Sequence, residues 1–242
     1  MSSPPPPPWT PGEAGPDPEL ENRIMLLDVP FGSKSHVRGR ERAAQWLLEH
    51  AEHSHPALLG AIAAGRAGPG AIALLGAFAR ADSIGLLSKL LTDGGPHAWE
   101  AAQALALHPQ PAAAEALRLA LGDPATTVAI AAADALAARG DAGECGALVA
   151  QLSALDPALR YHVVQAAARL GCLPAELLAQ LARSDRDADV RTLQQHITVI
   201  IPTSSEPAVV DQAATARMAA PLLKRPNIAR LPDSNTRSVA AE

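Results

Sequence analysis

A chain of 242 residues with a formal net charge of -5 has too little positive charge to neutralise a phosphate backbone, so we expect no nucleic-acid partner. Hydrophobic residues make up 48% of the chain but aromatic residues only 2%, so Ala, Leu, Val and Ile must build the core. Small side chains of this kind favour closely packed helices. Because the chain has neither a long uncharged apolar stretch nor a basic start before an apolar run, we expect a cytoplasmic protein with no membrane partner.

The N-terminal segment 1–18 is dominated by proline, with the run Pro4–Pro8 as its densest part. Proline removes backbone donors, so this segment is predicted to be a disordered leader. A polyproline II stretch could instead dock into an aromatic-lined groove, but an unstructured leader is the preferred interpretation. Residues 19–34 are apolar enough to pack and are candidates to cap the first helical hairpin, with a turn at Pro30-Phe31-Gly32.

From about residue 36 to residue 183 the sequence is repetitive, and the repeats indicate the fold. Four apolar helical segments end at comparable positions, which we place at Ala81, His108, Gly140 and Gly171, spaced by 27, 32 and 31 residues. A second apolar run follows each of these positions, at 84–91, 112–121, 143–155 and 174–181. Each repeat therefore reads as a helical hairpin.

Turn residues and periodicity support this division into hairpins. Asp before Pro, as in Asp156-Pro157 and Asp123-Pro124, supplies a helix N-cap, and glycines 140 and 171 stand where a helix end favours a left-handed residue. Apolar residues repeat at helical spacing on one face of two first helices; these are Val128, Ala131, Ala132, Ala135 and Leu136, then Leu159, Val163, Ala166, Ala167 and Leu170. One hairpin alone cannot bury such a face, so each must stack on the next.

The ends of the repetitive region are less regular. An earlier hairpin is predicted at 37–50 and 56–64, with Trp46, Leu47 and Leu48 facing inward, and a further first helix is predicted from Ala188 to near His196. The β-branched segment 196–202 could be a strand, a helix end or an apolar segment that closes the last hairpin, and closure is preferred. Segment 202–242 shows no sustained period and is predicted to be a mostly disordered polar tail.

The best-formed repeat is Val128-Ala129-Ile130-Ala131-Ala132-Ala133-Asp134-Ala135-Leu136 followed by Gly140-Asp141. It resembles the short HEAT-like repeats of the phycobilisome-lyase type, in which Val-x-x-Ala-Ala-x-x-Leu ends in Gly-Asp before a second helix. The resemblance covers residues 37–183 and implies an all-α fold, a right-handed α-solenoid of about five hairpins within 19–201. Tetratricopeptide and ankyrin repeats have similar periods, but their signature residues do not occur here.

Catalytic chemistry is not indicated by the sequence, and no cofactor or small-molecule substrate is expected. His50, His53 and His55 form the densest imidazole cluster, but the cluster is interpreted as a helix end or loop, and metal binding is the less favoured alternative. No His is directly followed by Glu, as a HEAT-like di-iron hydroxylase would require. Cys145 and Cys172 fall at different repeat phases, so both are predicted to be reduced thiols.

The predicted function is therefore that of a non-enzymatic scaffold that binds another protein on the concave side, which second helices commonly line in HEAT-like stacks. Exposed polar residues of the second helices are the candidate partner-binding residues: Lys89, Glu115, Arg118, Glu144, Gln151, Glu176, Gln180 and Arg183. Any one of them could equally be an ordinary solvated residue of an amphipathic helix. The alternative, suggested by the repeat family, is an accessory subunit of a bilin lyase or another protein-modifying enzyme. Ala-, Arg- and Pro-rich usage would suit a bacterial source.

Overall fold

The computed structural model describes residues 17–30, 34–173 and 175–200. Every regular element within these ranges is helical: α1 (Pro18–Leu26), α2 (Lys34–Glu49), α3 (Ala51–Ala63), α4 (Pro69–Phe78), α5 (Ser83–Thr92), α6 (Ala98–Leu107), α7 (Pro111–Leu121), α8 (Thr126–Arg139), α9 (Cys145–Ala150), α10 (Pro157–Arg169), α11 (Ala175–Ser184) and α12 (Ala188–Ile200). Two short 3-10 turns, Ala142–Glu144 and Gln151–Ser153, flank α9. The all-α prediction is confirmed, whereas the predicted leader up to residue 16 and the predicted tail lie outside the described residues.

Two helices begin where the sequence offers an aspartate followed by proline, whereas the cap predicted at Asp123-Pro124 is wrong, because α8 begins at Thr126 with Ala125 as its N-cap and Asp123 bonds the amide of Ala125 in the preceding turn. The carboxylate of Asp156 accepts hydrogen bonds from the amides of Ala158 and Leu159 at 2.8 and 3.3 Å, and Pro157 is the first helical residue of α10. Asp17 and Pro18 begin α1 in the same way, so the helical region starts one residue before the predicted boundary. These caps satisfy amides that have no partner within the helix.

The ends of the first helices follow the predicted turn chemistry at two positions. Gly140 and Gly171 both have positive φ values, of 73° and 70°, as expected after a helix. In the first repeat α4 ends at Phe78, and the left-handed residue is Ala79 with φ 52°, two positions before the predicted Ala81. A left-handed alanine is unusual because its Cβ crowds the backbone.

Alternate helices of the chain pack on one another. The first helices α4, α6, α8 and α10 contact in that order and α10 continues to α12, while the second helices α5, α7 and α9 contact in a parallel series. Links from α5 to α6 and from α7 to α8 join the two series. Backbones approach closely where the side chains are small: a Cβ added to Gly76 of α4 would lie 2.8 Å from Cα of Ala104 in α6.

Helix α8 is buried on more than the one face that its period predicts. The predicted residues of that face, from Val128 to Leu136, are at most 1% exposed, but Ala129 and Ala133 are also 0% exposed. The cause is its position, because α8 contacts α6, α7 and α10. Small side chains all round the helix allow three neighbours to approach it.

The N-terminal helices differ from the predicted first hairpin in two details. Helix α3 begins at Ala51 rather than at Pro56, so Pro56 lies inside a helix. Leu47 is buried as predicted, but Leu48 is 40% exposed, and Trp46 is half-buried beneath the guanidinium of Arg23, 4.3 Å from the ring centroid. Helix α1 packs on α2 and α3, consistent with the capping role considered for residues 19–34.

Helix α12 resolves the ambiguity at residues 196–200, which are helical and not a strand. The helix packs on α10 and α11, where an additional first helix was predicted. None of the helices in the described part of the chain is long and apolar enough to cross a lipid bilayer.

Candidate functional site

The exposed side of the second helices carries both charged and apolar side chains. On α7, Glu115, Arg118 and Leu119 share an exposed face, opposite the buried Ala113, Ala114 and Leu117. Lys89 of α5 and Val149 of α9 are exposed on the helices that flank α7. We call these five residues, Lys89, Glu115, Arg118, Leu119 and Val149, the second-helix surface.

Three large apolar side chains are exposed on or beside the second helices. Leu119 is 70% exposed and Val149 is 36% exposed, and Leu155, which follows the second 3-10 turn, is 89% exposed. These residues were not predicted, because only exposed polar groups of the second helices were expected to contact a partner. The sequence does contain a sign of this exposure: Leu119 stands beside Arg118, on a face of the helix that the helical period assigns to solvent.

Charge pairs order part of this surface. Arg118 Nη2 lies 3.1 Å from Glu115 Oε2, and Arg118 Nε lies 3.6 Å from Glu144 Oε2. Lys89 Nζ donates to Asp93 Oδ2 at 2.7 Å. Arg118 therefore joins the exposed surface to a carboxylate that lies beneath it.

Glu144 is not the exposed residue that the sequence predicted, because only 3% of it is accessible to solvent. It closes the 3-10 turn before α9, and its Oε2 has no hydrogen-bond partner among the described residues. Arg118 is its ion-pair partner. A buried carboxylate without a cationic neighbour would be strongly unfavourable, so the position of Arg118 matters for stability as well as for the surface.

The other predicted partner-binding residues are divided between two places. Gln151, in the 3-10 turn after α9, is half-buried. Glu176, Gln180 and Arg183 are exposed on α11, whose main neighbour is α12. The second-helix surface of α5, α7 and α9 and the exposed side of α11 are therefore described separately.

The two cysteines contradict the prediction of reduced thiols. Cys145, at the start of α9, and Cys172, in the loop after α10, form a disulfide with a Cα–Cα separation of 5.2 Å, within the usual range for such bonds. Both residues are partly exposed. Their different repeat phases did not prevent pairing, because the loop after Gly171 carries Cys172 to the first turn of the preceding second helix.

His55 and Ser83 form a buried hydrogen-bonded pair that joins α3 to α5. His55 Nε2 lies 2.7 Å from Ser83 Oγ and 3.4 Å from Asp82 Oδ1, and both His55 and Ser83 are at most 1% exposed. A hydrolytic triad uses the two ring nitrogens separately, one for serine and one for the carboxylate. Both groups here approach the same nitrogen, and the serine is closed to solvent, so the arrangement supports packing between helices.

A second buried histidine lies at the end of α6. His108 is 1% exposed, and neither ring nitrogen has a hydrogen-bond partner in the described structure. Burial lowers the pKa of His108, with the neighbouring Gln110 side chain acting in the opposite direction. Burial also lowers the pKa of His55, and Asp82 opposes that effect. Burial therefore favours the neutral form of both rings.

The three clustered histidines do not converge. His50 stacks on Trp46 with ring centroids 4.0 Å apart and uses Nδ1 to contact the Trp46 carbonyl, whereas His55 faces the interior toward Ser83. His53 is exposed within α3. Across the described ranges, no group of three or more His, Cys, Asp or Glu side chains is arranged to hold a metal ion.

An open groove of about 800 Å³ lies between α10 and α12. Tyr161, His162, Asp187 and Asp189 contribute its polar lining, and His162 Nδ1 lies 3.0 Å from Asp134 Oδ2 of α8. Asp187 already accepts hydrogen bonds from the amides of Asp189 and Val190, as the N-cap of α12. Part of the polar lining of the groove is therefore already engaged in hydrogen bonds at the start of α12.

A scan of the chain against protein-family models finds no match, and a search of curated proteins finds no significant match.

Proposed function

We propose that this protein is a HEAT-like α-solenoid that acts as a non-enzymatic scaffold and binds another protein through its second-helix surface. The regular contacts between alternate helices support the solenoid arrangement, since each hairpin covers the apolar face of the next. The division of helices into two parallel series supports a binding face on the second helices. Location in the cytoplasm remains part of this proposal.

The observation that carries the proposal is Leu119, a large apolar side chain that is 70% exposed between ionic neighbours. Isolated exposed leucines are common, but Leu119 lies beside Arg118 and Glu115 and on the same series of helices as exposed Val149. Protein interfaces combine an apolar centre with arginine and a polar rim. The second-helix surface has this composition.

Arg118 is a poor probe of this surface because its side chain also neutralises buried Glu144. Reversing its charge would place two carboxylates together and destabilise the fold, which would mimic a loss of binding. Leu119 is uncharged and 70% exposed, so its replacement leaves both members of that ion pair in place. Leu119→Glu is therefore the sharper variant, and Met25→Glu on α1, at a position that is 55% exposed, is the matched control.

The test is affinity capture with the full chain, in which proteins retained by wild type and by each variant are quantified by mass spectrometry. We expect Leu119→Glu to lose retained proteins by about tenfold, which corresponds to about 1.4 kcal/mol, while Met25→Glu retains them. Both variants should keep the wild-type Tm because both positions are exposed. Equal retention by Leu119→Glu and wild type, or equal loss in both variants, would contradict the proposal.

A further inference from the structure

The disulfide joins two segments that are far apart in sequence and adjacent in space. Cys145 and Cys172 are separated by 27 residues, and the loop they close contains α9, the following 3-10 turn and all of α10. Both cysteines are partly exposed, so the bond lies at the surface of the fold rather than in its core. A cytosolic protein with such a bond typically uses it for catalysis or redox sensing, because the compartment keeps other thiols reduced.

Helix α9 is shorter than α5 and α7 and has fewer buried side chains than either. It has only six residues, Cys145–Ala150, with Leu148 as its one fully buried side chain, and 3-10 turns bound it at both ends. A helix this short is not stable on its own, because nucleation fixes several residues before hydrogen bonds accumulate. The neighbouring α7 and α8 bury five and eight residues respectively. The disulfide is therefore a covalent constraint on a short helix that otherwise depends on its contacts with α7 and α10.

Movement of α9 would change the second-helix surface through the ion pair between Glu144 and Arg118. Glu144 precedes Cys145 directly, and Arg118 of that surface pairs with it. Val149, another member of the surface, lies one turn further along α9. Movement of the segment 144–149 would thus remove one of the two carboxylates that pair with Arg118, leaving Glu115, and would displace an exposed apolar group at the same time.

We propose that Cys145 and Cys172 form a reversible dithiol–disulfide site, and that its reduction by low-molecular-weight thiols such as glutathione releases the α9 segment. In the first step a thiolate attacks one sulfur, the S–S bond breaks, and a mixed disulfide forms with one protein thiolate free. A second small thiolate attacks the mixed disulfide, which leaves two protein thiols and one small-molecule disulfide. Two electrons and two protons pass from the small thiols to the protein, and oxidation reverses each step.

The consequence for partner binding rests on the proposed scaffold function, and the redox-sensing role rests on the cytoplasmic location proposed with it, whereas the reducibility of the bond can be measured without either. The test is therefore made on the purified full chain without any partner. Native protein is incubated in buffers of reduced and oxidised glutathione at varying ratio, alkylated, and the two cysteines are quantified by mass spectrometry. Hydrogen exchange of residues 142–153 is measured in parallel on oxidised and reduced samples.

We expect both cysteines to become alkylated together in millimolar reduced glutathione without denaturant, and to return to the disulfide when the oxidised form is added. Protection of amides 145–153 should fall by roughly tenfold or more, with protection in α4 and α6 unchanged. The double variant Cys145→Ser/Cys172→Ser should show this low protection in either buffer. Thiols that appear only after unfolding, or unchanged protection after complete reduction, would overturn the proposal; if the double variant does not fold, wild type decides the question alone.

A separate measurement then addresses the scaffold. If reduction loosens α9 but Leu119→Glu and wild type capture the same proteins, the redox site stands and the scaffold function fails. If Leu119→Glu loses capture but protection of α9 does not respond to reduction, the scaffold function stands and the redox site fails.

Discussion

Arg160 and Asp185 form a two-point ion pair between α10 and the residue that follows α11. Arg160 Nε donates to Asp185 Oδ2 at 3.1 Å and Nη2 donates to Oδ1 at 2.8 Å, with side-chain exposures of 9% and 5%. The remaining amino group of Arg160 donates to the carbonyls of Ala154 and Leu155. The Arg160 side chain thus joins the loop before α10 to the loop before α12. The hydrogen bonds from Arg160 lower the pKa of Asp185, although burial of the carboxylate acts in the opposite direction.

The variant Arg160→Met should be strongly destabilised. It leaves Asp185 buried without its cation and two carbonyls without donors, and loss of one partner of a buried pair typically costs about 3–5 kcal/mol. Urea denaturation gives the free energy of unfolding directly. The control is Lys89→Met, which removes the exposed pair with Asp93 and should change stability by no more than about 0.5 kcal/mol. Comparable effects in both variants would refute this assignment.

The variant Gly76→Ala should push α4 and α6 further apart and lower the stability of the fold. Its Cβ would lie 2.8 Å from Cα and 3.1 Å from the carbonyl oxygen of Ala104, and backbone atoms cannot give way as a flexible side chain can. Overpacking of this kind typically costs about 1–3 kcal/mol. Gly60→Ala is the control, because outside its own helix backbone no group lies within 4 Å of the added Cβ, and alanine favours the helix by about 0.5–1 kcal/mol. Thermal unfolding should therefore move Tm in opposite directions for the two variants.

The stability of the protein should fall as the pH falls below 6.5, the ordinary pKa of histidine. Burial lowers the folded-state pKa values of His55 and His108 from that value, so the unfolded chain takes up protons first. Each proton adds a slope of at most about 1.4 kcal/mol per pH unit between the unfolded and folded pKa values, and the dependence disappears well above 6.5, where both states are neutral.

Urea denaturation of wild type and two variants at pH 8, 7, 6 and 5 tests the assignment. His108→Leu should have a shallower pH dependence than wild type, because it removes one of the two buried titrating rings. The control is His53→Gln, whose exposed side chain lies in the same helix as His55. A profile of His108→Leu that is superimposable on that of wild type would exclude His108 as a contributor.

Asp28 should act as a cap for a helix that lies 40 residues further along the chain. Its carboxylate accepts hydrogen bonds from the amides of Gly68 and Gly70, at 2.6 and 2.7 Å, where α4 begins. Because Gly68 has no side chain to cap the helix, Asp28→Ala should cost about 0.5–2 kcal/mol. Hydrogen exchange should locate the loss in the first turn of α4. Asp17→Ala removes an exposed cap of α1 and should leave α4 unaffected, which makes it the control.

The sequence predicted local features of the fold because they depend on short-range chemistry. The cap at Asp156, the left-handed glycines 140 and 171, and the buried face of α8 each follow from residues within one or two helical turns. The same local reasoning placed α5, α7 and α11 correctly, but it began α3 five residues too late, at Pro56, and it missed the break of α9 into a short helix between 3-10 turns.

The candidate site was predicted less completely. Lys89, Glu115, Arg118, Glu176, Gln180 and Arg183 are exposed as expected, but Glu144 is buried and Leu119 was not considered. The helical period of the sequence indicates which residues share one face of a helix. It does not indicate in which direction a residue at the end of a 3-10 turn points. Glu144 lies at such an end, next to Cys145.

For this protein, the amino-acid sequence by itself determined that the chain is helical, where most helices begin and end, and which small residues line their contacts. Only the tertiary structure decided that Cys145 meets Cys172, that Arg118 neutralises Glu144, and that α11 packs mainly on α12. The physical reason is the distance along the chain over which each interaction acts. Helix caps and periodicity depend on residues a few positions apart, whereas the register between helices depends on how all of the alanine-rich helix faces pack together.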